Sequence, residues 1–591
     1  MSTVQERIDA LRKAMDAKGI SAYIIPSSDP HQSEYVADHW KSREWISGFT
    51  GSAGTVVVTM DHAGLFTDSR YYIQAETELA SSEFVLHKAG QGGGEYFSWT
   101  LDQLSPGDKI AIDGQLFTAN QVARFKSRSA EKSVTLDVEA DLIDEIWSDR
   151  PPLPDNMIFL HDPKYSGLDR TEKFEEIREK MKAQGAQVYL MTALDDIAWA
   201  FNIRGRDVEY NPVAIAYAAV DIKKARLFID PEKVPDDVRH QLQATGVELH
   251  NYEAFVSYIK SLDKPVYFDA NRTNAYLAEQ VADGVSVING DSFAMHLKAI
   301  KNHTEQAWLR KAMVKDGVAL THAYKWLEDT VKERGIKETE VAEKLAHFRS
   351  QQDGYFGESF SAIIGYKGNG AIVHYRAMED TCKTIENEGM LLTDSGGQYV
   401  DGTTDITRTF CFSDPTSEQK LHYTLVLKGH IGLGMAVFPE GTTGAQLDIK
   451  AREHLWDRGL NYGHGTGHGV GFFMNVHEPP QGFVPNLSER GATVQKAGHY
   501  TSNEPGFYVK DSHGIRIENL VICQPHKEYD GFLELETITL FPIATNLIDK
   551  SLMTNKEVDW LNNYHQRVFE ALSPQLDEEH KAWLEEKCRA I

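Results

Sequence analysis

The sequence predicts a mixed α/β (α+β) chain: two tandem, related α/β domains followed by a larger unit that carries the chemistry. Three observations lead there. A helix–glycine–strand unit recurs 166 residues after its first appearance, and a proline-rich stretch separates the two copies. Beyond residue 300 helices alternate with β-rich runs, and the concentrated polar motifs fall in those runs.

The first copy opens at Thr3-Val4-Gln5-Glu6, a capping box in which the threonine oxygen and the Glu6 carboxylate satisfy each other's free N–H groups. Ile8, Leu11 and Met15 form one apolar stripe, Gly19 suits a helix stop, and "SAYIIP" reads as a strand. The second copy, "FEEIREKMKAQGAQVYLMT", aligns Ile177, Arg178, Met181, Gly185 and Tyr189 with Leu11, Arg12, Met15, Gly19 and Tyr23. Shared stop and strand favour duplication over two unrelated amphipathic helices. "SDRPPLPDN", 148–156, reads as the linker, and a charged helix near "AIKNHTEQAWLRKAM" opens the third unit. The expected boundaries are therefore 1–150, 151–300 and 301–591, the last ending in a polar helical extension whose amphipathic core is "EVDWLNNYHQRVFEAL".

Composition excludes several classes. Over 591 residues the formal net charge is −26, with the acidic residues dispersed. That argues against nucleic acid and anionic membranes as partners, since both require clustered positive charge. No run of 18 apolar residues appears, and "MSTVQERIDALRKAMDAKG" lacks the apolar core of a signal peptide. Cys382, Cys411, Cys523 and Cys588 show no CxxC pairing and read as reduced thiols. A cytoplasmic location is expected.

In "LLTDSGGQYVDGTTDITRTF" two strands flank a glycine-rich turn, and Asp394 and Asp405 lie one in each arm. Aspartate is disfavoured in strands, so two at mirrored positions suggest a positive group between them. Glu518 stands inside the run "GIRIENLVIC", read as one strand, where a carboxylate needs a metal or a counter-charge. Arg516, of the same parity, is the alternative counter-charge. Glu504 precedes Pro505-Gly506, which holds its backbone extended before a turn.

"NYGHGTGHGVGFF", 461–473, alternates Gly463, Gly465, Gly467 and Gly469 with His464, Thr466 and His468. So many glycines exclude a zinc helix, HExxH is absent, and neither phosphate-loop spacing fits. An extended glycine strand remains, allowing substrate or metal to approach the backbone with His464 and His468 on one face. His477 and His374 supply two more histidines. Two aspartates, two glutamates and one histidine form a hard, oxygen-rich set that favours Mn²⁺ or Co²⁺, with Zn²⁺ also compatible. Four carboxylates exceed one divalent ion, whereas two ions bridged by carboxylates balance them and support hydrolysis through a bridging hydroxide.

Together "HY" at 374–375, "DSGGQYVDGTTDITRT" at 394–409, "GHGTGHGVGFFMNVHEPP" at 463–480, "SNEPGFY" at 502–508 and "GIRIEN" at 514–519 resemble the cytosolic three-domain Xaa-Pro aminopeptidases, the aminopeptidase P group of pita-bread metallopeptidases. The resemblance extends to "DPHQSEYVADHWKSREWISGFTGSAGT" and "LFTDSRYYIQA" near the N-terminus. It implies two creatinase-like N-terminal domains, a pita-bread catalytic domain, homodimers, and peptides with proline second as substrates. It further implies Asp394 as a terminal ligand of one metal, Asp405 and Glu518 as bridges, and His468 and Glu504 as ligands of the second, with Glu504 also the general base. His374, His464 and His477 would bind substrate and stabilise the tetrahedral intermediate. "HYRA", "HEPPQ" and His499 depart from the usual pattern without removing a ligand, and bear on substrate preference. A prolidase is the near alternative, and a catalytically inactive peptide- or histone-binding module the distant one.

Overall fold

The computed structural model of the chain describes residues 2–90 and 94–591. The N-terminal capping box forms: Thr3 accepts from the Glu6 N–H, and Glu6 accepts from the Thr3 N–H at 2.7 Å. Helix α1 (Val4–Ala17) buries Ile8, Leu11 and Met15. Gly19 follows at φ 62°, a left-handed conformation that costs glycine little. Helix α2 (Arg170–Ala183) starts and stops 166 residues later, buries Ile177 and Met181, and is followed by Gly185 at φ 71°.

The strands that follow repeat as well. The first sheet comprises β1 (Ala22–Pro26), β2 (Thr55–Thr59), β3 (Ala63–Thr67), β4 (Val85–Lys88), β5 (Lys109–Ile112) and β6 (Thr135–Asp137). Its order is β4-β3-β2-β1-β5-β6. The second comprises β7 (Val188–Met191), β8 (Tyr217–Asp221), β9 (Ala225–Phe228), β10 (Val247–His250), β11 (Val266–Phe268) and β12 (Val287–Asn289), in the order β10-β9-β8-β7-β11-β12. Position by position the two sheets share order and direction: β1 and β7 each pair antiparallel with the next strand and parallel with the fifth of their set. Each has its own apolar core, around Ile25 and Val56 in the first and Leu190 and Phe255 in the second.

The chain divides into two compact units, Met1–His161 with Leu168–His296, and Asp162–Gly167 with Leu297–Ile591. Both sheets belong to the first. The second opens with α3 (His303–Glu333), capped by Asn302 and Glu305, and continues into α4 (Glu338–Ser350). Its antiparallel strands β13 (Ile363–Tyr366), β14 (Met390–Ser395) and β15 (Ile406–Cys411) form a three-stranded sheet in that order. Helices α5 (Ser417–Gly434) and α6 (Gly444–Trp456) then pack together. Strands β16 (Val437–Pro439), β17 (Gly467–Gly469), β18 (Glu478–Phe483) and β19 (Tyr500–Asn503) lead to a hairpin of β20 (Gly506–Val509) and β21 (His513–Arg516). After it come β22 (Asn519–Pro525) and β23 (Phe532–Thr537), which complete a six-stranded antiparallel sheet ordered β16-β23-β22-β19-β17-β18. Helix α7 (Asn555–Leu572), the amphipathic core of the C-terminal extension, buries Leu561, Tyr564, Val568 and Leu572 in the main core of this unit.

Two local expectations are corrected. "GIRIENLVIC" is not one strand: β21 ends at Arg516 and β22 begins at Asn519, leaving Ile517 and Glu518 in a break. That break frees Glu518 from sheet pairing at the point where its side chain turns inward. The glycine segment is hydrogen-bonded as strand only over Gly467–Gly469, with His464 in the irregular approach.

Candidate metal centre

The acidic residues converge. Strands β14 and β15 place Asp394 opposite Thr407, and Asp405, just before β15 begins, lies close enough to feel the charge of Asp394. Backbone bonds bring up the glutamates: Glu518 N–H donates to Thr407 O at 3.1 Å, and Glu504 N–H to Thr466 O at 2.7 Å. Each glutamate is thereby fixed against a segment that already carries a candidate ligand, Asp405 or His468.

One ligand atom each from Asp405, His468 and Glu518 lie within 4.8 Å of one another, all from buried residues. His468 Nε2 is 3.5 Å from Asp405 Oδ2 and 3.5 Å from Glu504 Oε1. That is long for a hydrogen bond but suits atoms sharing an ion, whose bonds run about 2.0–2.2 Å. His468 Nδ1 lies 2.9 Å from the Gly469 carbonyl. A carbonyl only accepts, so Nδ1 carries the proton and Nε2 presents its lone pair to the carboxylates.

Electrostatics point the same way. Burial raises the Asp405 carboxyl well above the usual range, and Glu518, Asp394 and Glu504 push it further. Glu518 is raised by burial, then by Glu504 and Asp394. Glu504 is pushed up to about 7 by burial, with Arg516 opposing and Asp394 adding to the rise. Arg516, weighed from sequence as the counter-charge of Glu518, instead holds Asp394, its Nη2 2.6 Å from Oδ2. Glu518 accepts from the Thr407 hydroxyl at 2.8 Å. The other oxygen of Asp394, Oδ1, is buried without a hydrogen-bond partner. Crowded carboxylates, an orphaned oxygen and an inward lone pair fit divalent cations and are costly without them.

The histidines divide. His477 stacks edge-on to His468, ring centroids 4.4 Å apart, and its charge bears on Glu504. His464 Nδ1 lies 2.7 Å from the Gly465 carbonyl, and its Nε2 lies 2.8 Å from the Tyr508 hydroxyl. Tyr508 in turn accepts from Arg516 Nη1 at 2.7 Å, so His464, Tyr508, Arg516 and Asp394 form one chain of contacts. Burial raises the Tyr508 hydroxyl to about 12, so it stays protonated. Tyr508 is absent from the sequence reading. Pairing within the hairpin is the signal that could have found it, because Gly506 sits opposite Arg516 and leaves room for the hydroxyl two residues on. His374 is half-buried and follows the turn 367–371, which packs against β14 and β21.

Two of the glycines are required by the fold itself. A Cβ on Gly467 would fall 1.9 Å from the Ser502 carbonyl oxygen, and one on Gly469 2.2 Å from that of Glu478. These two admit neighbouring protein backbone, which lets β19 and β18 close on either side of His468.

Comparison with known proteins identifies the family. Residues 7–146 and 149–305 each match a creatinase/prolidase N-terminal domain, and residues 307–525 match metallopeptidase family M24. Residues 531–591 match the C-terminal region of M24 peptidases. Aminopeptidase P2 of Arabidopsis thaliana is 41% identical, covering 97% of this chain and 86% of its own. Xaa-Pro aminopeptidase 1 of Dictyostelium discoideum is 38% identical, covering 100% and 97%. A crystal structure of the X-prolyl aminopeptidase from Caenorhabditis elegans, a cytosolic enzyme with a di-nuclear active site, superposes with a TM-score of 0.95 at 35% identity over 100% of both chains. With creatinase-type N-terminal domains, an M24 domain and relatives matched over nearly their whole length, this chain belongs to the Xaa-Pro aminopeptidase P family of M24 metallopeptidases.

Proposed function

We propose that the chain hydrolyses the amide bond between an N-terminal residue and a penultimate proline. The observation that carries this is the cluster of buried Asp394, Asp405 and Glu518 with half-buried Glu504 around His468 in an M24 domain. Proline's nitrogen has no N–H, so general peptidases lose a backbone contact and a dedicated site is required.

Asp394 would hold one ion, Asp405 and Glu518 would bridge two, and His468 and Glu504 would complete the second. The oxygen-rich set favours Mn²⁺, with Co²⁺ and Zn²⁺ compatible. Two such ions acidify water and polarise the scissile carbonyl. Glu504, its side chain 17% exposed beside Ser502, would take a proton from the attacking water and deliver it to the leaving prolyl nitrogen. His477 and His374 would bind the peptide and donate toward the oxygen that gains charge. His464, whose ring nitrogens face the Gly465 carbonyl and the Tyr508 hydroxyl, would act on substrate through Tyr508. We infer a cytoplasmic homodimer. The cytosolic C. elegans relative supports the location, and no helix of the described residues is long and apolar enough to cross a membrane.

The test is metal-depleted protein reloaded with Mn²⁺ and offered Arg-Pro-Pro, Arg-Ala-Pro and Ala-Pro. Release of arginine from Arg-Pro-Pro alone is expected. Cleavage of only the dipeptide would replace this reading with a prolidase, and no cleavage with a binding module.

A further inference from the structure

Outside the acidic cluster, another fully buried carboxylate is tied to a single surface stretch. Glu338, the first residue of α4, accepts at Oε1 from the Tyr366 N–H at 2.7 Å and from Asn369 Nδ2 at 3.0 Å. At Oε2 it accepts from the Tyr375 hydroxyl at 2.7 Å, the Lys383 N–H at 2.8 Å and Asn369 Nδ2 at 3.1 Å. Five donor contacts within 3.1 Å converge on its two oxygens, so these ties are the firm ones. Every donor lies between residues 366 and 383, the stretch that carries His374.

Beyond the turn that stretch has no regular structure of its own. None of residues 371–384 is buried, and after the turn 367–371 no helix or strand forms until Thr384. No apolar core therefore holds His374. Lys337 and Thr339 also meet Glu379, but those contacts are exposed and contribute little. On its other side the preceding turn lies backbone to backbone with the hairpin of Tyr508 and Arg516. A Cβ on Gly514 would sit 1.7 Å from the Gly370 oxygen, and one on Gly368 3.0 Å from the Asp511 backbone. The main chain leading to His374 is clamped between a buried carboxylate and the hairpin that feeds the metal centre.

We propose that Glu338, acting through the Tyr375 hydroxyl, is a positioning residue that sets the reach of His374 toward the peptide. This rests on the reading of His374 as a substrate-binding group. Tyr375 transmits the constraint because it adjoins His374 in the chain and its hydroxyl is shared between Glu338 and Asn369, the latter at 2.9 Å.

The test is a double-mutant cycle in the Mn²⁺-loaded full chain with Arg-Pro-Pro as substrate. Tyr375→Phe keeps the ring and removes one donor, and it is expected to lower kcat/KM roughly tenfold. Metal content and thermal midpoint should stay at wild-type values, which a merely structural role would not leave intact. His374→Ala should lower kcat/KM further, and the double variant should be no slower than His374→Ala alone. Glu338→Gln, which turns an amide N–H toward a donor, should reproduce the loss; if it fails to fold, Tyr375→Phe still decides. Wild-type rates in Tyr375→Phe, or full additivity with His374→Ala, would overturn the inference alone. Near-wild-type turnover by His374→Ala would overturn the reading of His374 and the inference with it.

Discussion

Glu338 and Glu518 are both glutamates in the second unit, 0% and 1% exposed, yet their surroundings are opposite. The two oxygens of Glu338 meet the Tyr366 and Lys383 N–H groups, the Asn369 amide and the Tyr375 hydroxyl. Glu518 accepts from Thr407 and faces charges of its own sign on Glu504 and Asp394, which Arg516 opposes with a smaller effect. Burial alone therefore does not mark a functional carboxylate. What marks it is a shortage of donors: one glutamate is satisfied by the protein, while the other is left for the cation that the proposed site would hold.

The contrast can be broken first at Glu504. Glu504→Gln should lower turnover by roughly 10²–10⁴-fold, the range for a lost general base, while circular dichroism stays unchanged. Near-normal rates would show that the proton goes elsewhere. Next in size is Gly467→Ala. A methyl 1.9 Å from the Ser502 carbonyl oxygen forces β17 and β19 apart, so a loss of about 1–3 kcal/mol in denaturant unfolding is expected, together with weaker Mn²⁺ retention. Unchanged stability would mean that the backbones relax freely.

The smallest effect is pH-dependent and belongs to the metal-free protein. Glu504 is raised from an ordinary value of 4.5 to about 7, chiefly by burial. The folded state then holds a proton that the unfolded state has released. The stability this contributes is present below about 4.5 and is lost as pH rises through about 7. The thermal midpoint of the metal-free protein should fall across that window, and Asp405→Asn, which removes one of the crowded charges, should raise it near neutral pH. A midpoint flat with pH, or lowered by Asp405→Asn, would contradict the crowding of charge.

The distinction between the two glutamates also explains what could be read from the chain. The helix, glycine and strand of each N-terminal copy are local patterns, so α1, α2 and both strands were legible, down to the 166-residue offset. The acidic residues and His468 were legible as types in short motifs, because a hard cation needs those donors whatever the fold. Pairings across the chain were not. Arg516 and Asp394 stand 122 residues apart, and Tyr508 gains its role only once the hairpin places it between Arg516 and His464. The packing need of Gly467 in "GHGTGHG" was hidden for the same reason: its neighbour is the Ser502 carbonyl, on a strand that is not next in sequence. Glu338 lies in the unremarkable run "GIKETEVAEKL", where an acidic residue in a helix's first turn is ordinary.

The central claim is that the carboxylates around His468 are left short of donors in order to hold two cations that carry the hydrolysis. Titrating Mn²⁺ into chelated protein, with bound metal and Arg-Pro-Pro cleavage followed together, tests it directly. Activity should be absent in the metal-free protein and should rise to its plateau as the second equivalent binds. Turnover without metal, or a plateau reached with no bound ion, would contradict it.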